Sequence, residues 1–185
     1  MVFSMFRSGV GVLFLLAAAV AFPTEPPNPS LGPVVPNHGP VLAPPAGSYN
    51  LAEDVLYKVS MDVSGVAEFP GDKNRHLESA ARFLNMHAQN GIARENIEFA
   101  IVVHGPAAKD LLTDAAYEAR FNEPNPNTGL LKELNAAGVP IYLCSQTAGF
   151  RGMAPEEFSP SVTMALSAMT AHVRLQQEGY TLIPF

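Results

Sequence analysis

The chain has 185 residues, of which 48% are hydrophobic and 15% charged, which is enough for one globular core and too little for two. The formal net charge is −6 and Lys and Arg form no cluster, which argues against DNA or RNA as a partner. The only cysteine is Cys144, which excludes an intramolecular disulfide.

The first segment, Met1–Ala21, has one positive charge at Arg7, then an uncharged apolar run, then the triplet Ala19-Val20-Ala21. This order is typical of a secretory signal peptide. It predicts cleavage after Ala21, a periplasmic or secreted protein, and no stable membrane span after cleavage. A retained anchor is the alternative, because Val10–Phe22 extended backwards gives a span of marginal length. No Cys follows the run, which excludes a lipoprotein anchor.

Residues 22–50 hold nine of the 17 prolines and a single charged side chain, Glu25. Proline removes backbone donors and favours extended conformations in its neighbours. The composition therefore predicts a Pro-rich linker or tail that is disordered and carries no fold.

From Leu51 onward, short β-rich runs alternate with longer amphipathic ones, which predicts one α/β domain over residues 51–185. Such alternation is typical of right-handed crossovers and a mainly parallel sheet covered on both sides. We expect four to five strands in a flavodoxin-like three-layer sandwich. The predicted strands are 54–63, 97–103, 139–144 and 180–183, and the predicted helices are 74–91, 107–121, 128–137 and 161–178.

Candidate chemistry lies where the predicted strands end, because ligands of an open parallel sheet collect at the carboxyl edge. Three loops meet this condition: 64–74, the loop that begins His104-Gly105, and 144–152. A thiol just before a helix N-terminus has a lowered pKa, so Cys144 is the candidate nucleophile. His104 is placed to orient or protonate a bound group, and Arg151 could return to the same pocket.

Each of these residues also has a purely structural interpretation. A cysteine that ends an apolar strand is often a small core residue. A histidine before Gly-Pro can simply satisfy loop backbone groups, and an arginine such as Arg151 is often a surface ion-pair residue.

The sequence offers no cofactor or metal motif. No GxGxxG follows a strand, and the loop after the first strand lacks the glycine and hydroxyl density of a phosphate cradle, which argues against flavin mononucleotide. His76 and His87 are eleven positions apart on one predicted helix, so they cannot bind one metal from a single face. We therefore expect neither a cofactor nor a metal.

The segment VPIYLCSQTAGFRGM at Val139–Met153 and the closing GYTLIPF resemble the C-terminal half of DsrE/DsrF-like sulfur-relay proteins, which share the YchN-like fold. VVHGPA at Val102–Ala107 and NPNTGLLKELNAAGV at Asn125–Val139 are similar to earlier parts of the same family. The resemblance covers about 130 residues. It implies a flavodoxin-like sheet and a homo-oligomer, either a trimer or a hexamer.

In relay members of that family the matching cysteine carries a persulfide, so the resemblance implies that Cys144 accepts sulfane sulfur from a small donor or a partner protein. Thr147 stands where some relatives have a second cysteine. The candidate binding residues are His104, Gly105, Ser145, Thr147 and Arg151. The alternative is a non-catalytic oligomeric module that binds a small anion or a partner protein, with Cys144 as packing.

Overall fold

The computed structural model describes residues 28–184, so the predicted signal peptide lies outside the described residues. The strands are β1 (Tyr57–Val63), β2 (Ile97–Val103), β3 (Ile141–Cys144), β4 (Val162–Ala165) and β5 (Thr181–Pro184). The helices are α1 (Arg75–Gln89), α2 (Asp114–Phe121), α3 (Thr128–Ala136), α4 (Ser145–Phe150) and α5 (Ala168–Gln177). Short 3₁₀ turns occupy Arg94–Asn96, Gly105–Leu111 and Pro155–Glu157. Within residues 28–184, no helix is both long and apolar enough to cross a membrane.

The five strands form one sheet in the order β4-β3-β2-β1-β5, and every neighbouring pair is parallel. β1 and β2 pair along their whole length, from Tyr57 with Ile97 to Val63 with Val103. The prediction of a flavodoxin-like α/β sandwich is confirmed. Because all strands run the same way, their carboxyl ends share one edge of the sheet.

One face of the sheet carries the main hydrophobic core. Alternate side chains of a strand point to opposite faces, and Val59, Met61 and Val63 of β1 all point into this core. The helices α1, α2 and α3 cover it with fully buried side chains, among them Leu77, Leu84, Tyr117, Leu130 and Leu134. This face therefore supplies most of the hydrophobic stabilisation of the fold.

The other face is covered by α5, which contacts all five strands. Its buried hydrophobic cluster contains only Ala100, Val102 and Leu175. The residues of β1 that point to this side are Lys58, Ser60 and Asp62, which are all polar or charged. The hydrophobic layer between α5 and the sheet is therefore small, and polar side chains of the sheet lie beside it.

The largest difference from the sequence prediction is at 161–178, which was expected to be one helix. The structure instead has β4 paired with β3, and α5 begins only at Ala168. The Ser167 hydroxyl accepts the backbone N–H of Thr170 at 3.0 Å, which caps α5. Because Val162 and Thr163 are β-branched, they suit an edge strand better than a helix start.

Smaller differences concern element ends. β1 begins at Tyr57 rather than Asp54, and β3 begins at Ile141 rather than Val139. The predicted helix 107–121 is divided, because a 3₁₀ segment ends at Leu111 and α2 starts after Thr113, whose hydroxyl accepts the Ala116 N–H at 3.3 Å.

Residues 30–41, here called the strap, also differ from the prediction, which placed them in a disordered linker. Ser30 and Val41 exchange two backbone hydrogen bonds of 2.8 Å, and Val35 is fully buried. Asn85 of α1, itself 0% exposed, binds the strap through its side-chain amide. Prolines remove donors, but the N–H and C=O groups between them still pair with this amide, so the strap packs on the domain.

Candidate functional site

Cys144 is the last residue of β3 and the N-cap residue of α4. Its neighbour Leu143 points into the main core, so Cys144 points to the α5 face. The residue is 6% exposed, which places its sulfur just beneath the surface at the carboxyl edge. The structure therefore puts the only thiol at the position that the sequence predicts for it.

The immediate surroundings of Cys144 favour its thiolate. Desolvation by burial raises the pKa of the thiol, but the Thr147 side chain and the backbone N–H groups of Thr147, Ala168 and Gln146 together outweigh it and lower the pKa below its ordinary value. The backbone N–H groups of α4 form no capping hydrogen bond with the sulfur, so their effect is mainly a charge–dipole interaction, whereas the Thr147 side chain acts as a hydrogen-bond donor to the thiolate. Because Ala168 begins α5, two helix starts face the sulfur.

The connection between β4 and α5 is fixed against α4. The Ser145 hydroxyl donates to the Leu166 carbonyl at 2.8 Å, and the Gln146 side-chain amide donates to the same oxygen at 3.5 Å. These bonds hold the start of α5 beside Cys144. Ser145 thus makes an internal contact in this structure, and its predicted part in ligand binding stays a prediction.

Thr147 links the ends of β2 and β3. Its hydroxyl oxygen accepts the Gly105 N–H at 3.2 Å, and its side chain also stabilises the Cys144 thiolate. Gly105 has φ +57°, a left-handed conformation that favours glycine. The structure therefore brings three predicted site residues together: Gly105, Thr147 and Cys144.

His104, the residue after β2, lies on the α5 face beside β1. Its Nε2 is 3.1 Å and 3.2 Å from the two carboxylate oxygens of Asp62. Val103 pairs with Leu143, so His104 and Cys144 follow directly on neighbouring strands and point to the same face. Strands in a sheet are about 5 Å apart, so the main chains of His104 and Cys144 are neighbours, while the His104 ring is turned toward Asp62 on β1.

Three members of this cluster, Asp62, His172 and Ser60, were not predicted from the sequence. Asp62 Oδ1 is 2.9 Å from Nε2 of His172 on α5, and the Nδ1 of the same ring is 2.9 Å from the Ser60 hydroxyl. One signal was available, because Ser60 and Asp62 are polar at alternate positions of a mostly apolar strand. Nothing in the sequence indicated His172 as a member, since a single histidine on a helix does not show which residues it contacts.

Arg151 is not brought into the cluster. It is the C-cap residue of α4, seven positions after Cys144, which is about 10 Å along the axis of a helix. Its side chain is exposed and forms no hydrogen bond or ion pair with the residues from 28 to 184. A role in binding therefore stays a prediction.

The described residues contain no group of three or more His, Cys, Asp or Glu side chains that could hold a metal ion. Cys144 and the cluster around Asp62 have the character of an acid–base and nucleophile site. A thiolate at a strand end beside an oriented imidazole can attack an electrophilic sulfur and exchange a proton.

Thr147→Val should raise the Cys144 pKa, because the change removes a hydrogen bond to the thiolate and keeps the shape of the side chain. We expect alkylation of Cys144 by iodoacetamide near neutral pH to slow several-fold, measured as a rate against pH. Thr163→Val, on the exposed edge strand β4, is the matched control and should react at the original rate. Equal rates in both variants would contradict the role given to the Thr147 hydroxyl.

The comparisons with known proteins agree with this architecture. No curated protein matches the chain. Among solved structures, the protein of unknown function MTH1491 from Methanobacterium thermoautotrophicum is similar, with 23% identity and a TM-score of 0.50, over 70% of this chain and 99% of that one. The YchN protein from E. coli matches with 17% identity and a TM-score of 0.49 over the same shares. The DsrE/DsrF-like family model matches residues 61–185, which include the entire carboxyl edge with Asp62, His104 and Cys144. The chain therefore belongs to the DsrE/DsrF-like family.

Proposed function

We propose that this DsrE/DsrF-like protein handles sulfur by accepting sulfane sulfur as a persulfide on Cys144. The observation that carries the proposal is the lowered pKa of a thiol at the carboxyl edge, where two helix starts face it. The thiolate is the nucleophilic form of cysteine, and the same environment would stabilise the anionic persulfide that forms. Family membership supports a sulfur-relay role of this kind.

The proposal includes export to the periplasm or the exterior, for which the Met1–Ala21 pattern is the support. An exported chain would not meet cytoplasmic relay partners. We therefore favour a small sulfur donor, or a partner protein of the same compartment, as the source of the sulfur.

A homo-oligomer, either a trimer or a hexamer, is also part of the proposal. Large apolar side chains are exposed on and beside α5: Leu166 at 70%, Met169 at 78% and Val173 at 52%. Exposed apolar groups of this kind often mark an interface. A second copy of the chain on this side would cover the α5 face of the sheet.

Met169→Glu should dissociate such an oligomer, because it would place a charge in an apolar contact. We expect light scattering to report the monomer mass for this variant and a multiple of it for the unmodified protein. Val55→Glu, at an exposed apolar residue just before β1, is the control and should leave the mass unchanged. A monomer mass for the unmodified protein would refute the oligomer.

A non-catalytic binding module is the second candidate, and the low exposure of Cys144 favours it. A groove of about 380 Å³ between β4 and α5, lined in part by Tyr142, Met164 and Arg174, would suit a partner segment. In this case Cys144 serves only as packing.

One experiment separates the two functions. The mature protein is incubated with thiosulfate or polysulfide, and its intact mass is measured. Sulfur handling predicts the gain of one sulfur atom on Cys144 in the native protein and none in a denatured control. Absence of an adduct, or equal labelling of the denatured chain, would leave only the binding module.

A further inference from the structure

The polar cluster beneath α5 forms one continuous hydrogen-bonded chain from Ser60 through His172 and Asp62 to His104. The three links measure 2.9 Å, 2.9 Å and 3.1 Å. Exposure rises along the chain: Ser60 is 0% exposed, and the side chains of His172, Asp62 and His104 are 14%, 25% and 34% exposed. The chain therefore begins inside the protein and opens at the carboxyl edge.

The network assigns the proton positions on both rings. An ionised carboxylate only accepts, so each ring must carry a proton on the Nε2 that faces Asp62. The Nδ1 of His172 then accepts the Ser60 hydroxyl, which satisfies both nitrogens of that ring. In its neutral form, His104 has an unprotonated Nδ1, for which no residue between 28 and 184 provides a hydrogen bond. His104 is therefore the open, basic end of the chain.

The open end belongs to a residue whose strand neighbours the strand that carries the thiol. His104 and Cys144 follow the paired residues Val103 and Leu143 on neighbouring strands, and both point to the α5 face. The loop after His104 is also tied to α4, because the Gly105 N–H donates to the hydroxyl of Thr147, whose side chain in turn contacts the sulfur. A donor bound over the ends of β2 and β3 would lie between the His104 ring and the sulfur.

We infer that His104 is the proton carrier of the sulfur transfer, that Asp62 is its positioning residue, and that the substrate class is a low-molecular-weight persulfide. The inference rests on the proposed function. His104 Nδ1 takes the proton of the Cys144 thiol, and the thiolate attacks the terminal sulfur of the donor R–S–SH. The bond from Cys144 Sγ to that sulfur forms as the bond to R–S breaks. The R–S⁻ group leaves with the electron pair and takes the proton from His104, so Cys–SH and R–S–SH give Cys–S–SH and R–SH.

This role explains why the Asp62 carboxylate binds Nε2 of the His104 ring, on the side opposite Nδ1. Asp62 fixes the proton on Nε2 and stabilises the imidazolium that exists between the two proton transfers. His172 and Ser60 hold Asp62 in turn, which keeps the carboxylate at the ring although it is one-quarter exposed. A surface ion pair would need no such second partner.

The basicity of the leaving group determines how strongly the transfer rate depends on a proton from His104. A departing thiolate is basic, with an ordinary pKa of about 8.5, and leaves faster when it is protonated. Sulfite, which leaves from thiosulfate, is a stable anion near neutral pH and needs no proton. Deprotonation of Cys144 is common to both donors, and its surroundings already favour the thiolate. Loss of the proton carrier should therefore slow transfer from a persulfide much more than transfer from thiosulfate, because only the persulfide needs a proton on its leaving group.

The test compares both donors in Asp62→Asn and His104→Gln by the rate of sulfur gain on Cys144. We expect the rate of transfer from glutathione persulfide to fall about 100-fold in each variant. The rate of transfer from thiosulfate should fall by about tenfold or less. Asn in place of Asp62 can donate to Nε2, which imposes the wrong tautomer. His38→Gln, in the strap, is the control and should keep both rates.

Equal losses with the two donors, or no loss, would overturn the inference and leave the chain as a structural polar network. If Asp62→Asn fails to fold, by circular dichroism, His104→Gln decides alone, because that ring is one-third exposed. Failure of the proposed function has a separate signature, since the unmodified protein would then gain sulfur from neither donor.

Discussion

Cys144→Ser is expected to abolish sulfur gain completely while the protein stays folded. A hydroxyl in place of the thiol has no sulfur nucleophile, so neither thiosulfate nor a persulfide should add mass to the variant. Intact-mass spectrometry after incubation with donor measures the loss, and circular dichroism checks the fold. The small side chain of similar shape makes a modest loss of stability the expected secondary effect.

The same variant distinguishes the two functions proposed for this site. If the native protein gains sulfur and Cys144→Ser does not, Cys144 is the acceptor. If both gain equal mass, the sulfur is bound elsewhere and the thiol is packing. Thr147→Val is the companion variant, because it keeps the thiol and removes the hydroxyl that contacts the thiolate and accepts the Gly105 N–H.

Asn85→Ala is expected to release the strap from α1 and to lower the free energy of unfolding by about 3 kcal/mol. The Asn85 side chain accepts the N–H groups of Val34 and Val35 at 3.1 and 2.8 Å. It also donates to the carbonyls of Val35, His38 and Gly39 at 2.9, 2.9 and 3.2 Å. Alanine would leave these groups without a partner in a buried site, which is more costly than the loss of exposed hydrogen bonds.

Hydrogen exchange at the Val34 and Val35 amides measures this release directly, and chemical denaturation gives the change in stability. Asn90→Ala is the control, because the Asn90 side chain is exposed and binds only the Met86 carbonyl one turn earlier. Unchanged protection of the strap amides in Asn85→Ala would contradict the account of how the strap is held.

The main features of the fold could be predicted from the sequence because they rest on local patterns. The run Ile97–Val103 is apolar except for Glu98, and a strand buried on both faces is its simplest explanation. In an all-parallel sheet, the ends of β2 and β3 must then share an edge. The nearness of His104 and Cys144 was therefore available from topology, without any side-chain geometry.

The features that could not be predicted depend on contacts between distant segments. The pattern of Val162, Ala165, Leu166 and Met169 fits a helix by spacing, and only pairing with β3 makes its first part a strand. As a consequence, the start of α5 beside the sulfur was also missed. The packing of the strap was not predicted because its many prolines lack N–H donors. The residues between the prolines still have N–H and C=O groups, and these groups pair with the rest of the domain.

The cluster around Asp62 was missed for the same reason. Its two histidines are separated from Asp62 by 42 and 110 positions, and no local pattern connects them. A polar residue within a strand is more often solvated than paired, so Asp62 alone did not indicate a site. Once the chain places α5 over β1, His172 supplies the partner that Asp62 and Ser60 lack in the sheet.

Sulfur transfer requires that reagents reach the Cys144 sulfur, although this residue is only 6% exposed, and that its thiol is more acidic than an ordinary one. The most direct test is the rate at which iodoacetamide modifies the native protein, compared with the unfolded chain, as pH is lowered below the ordinary thiol pKa. We predict that the native thiol keeps reacting at pH values where the unfolded thiol has become slow. A native thiol that stays unmodified while the unfolded one reacts would contradict the account.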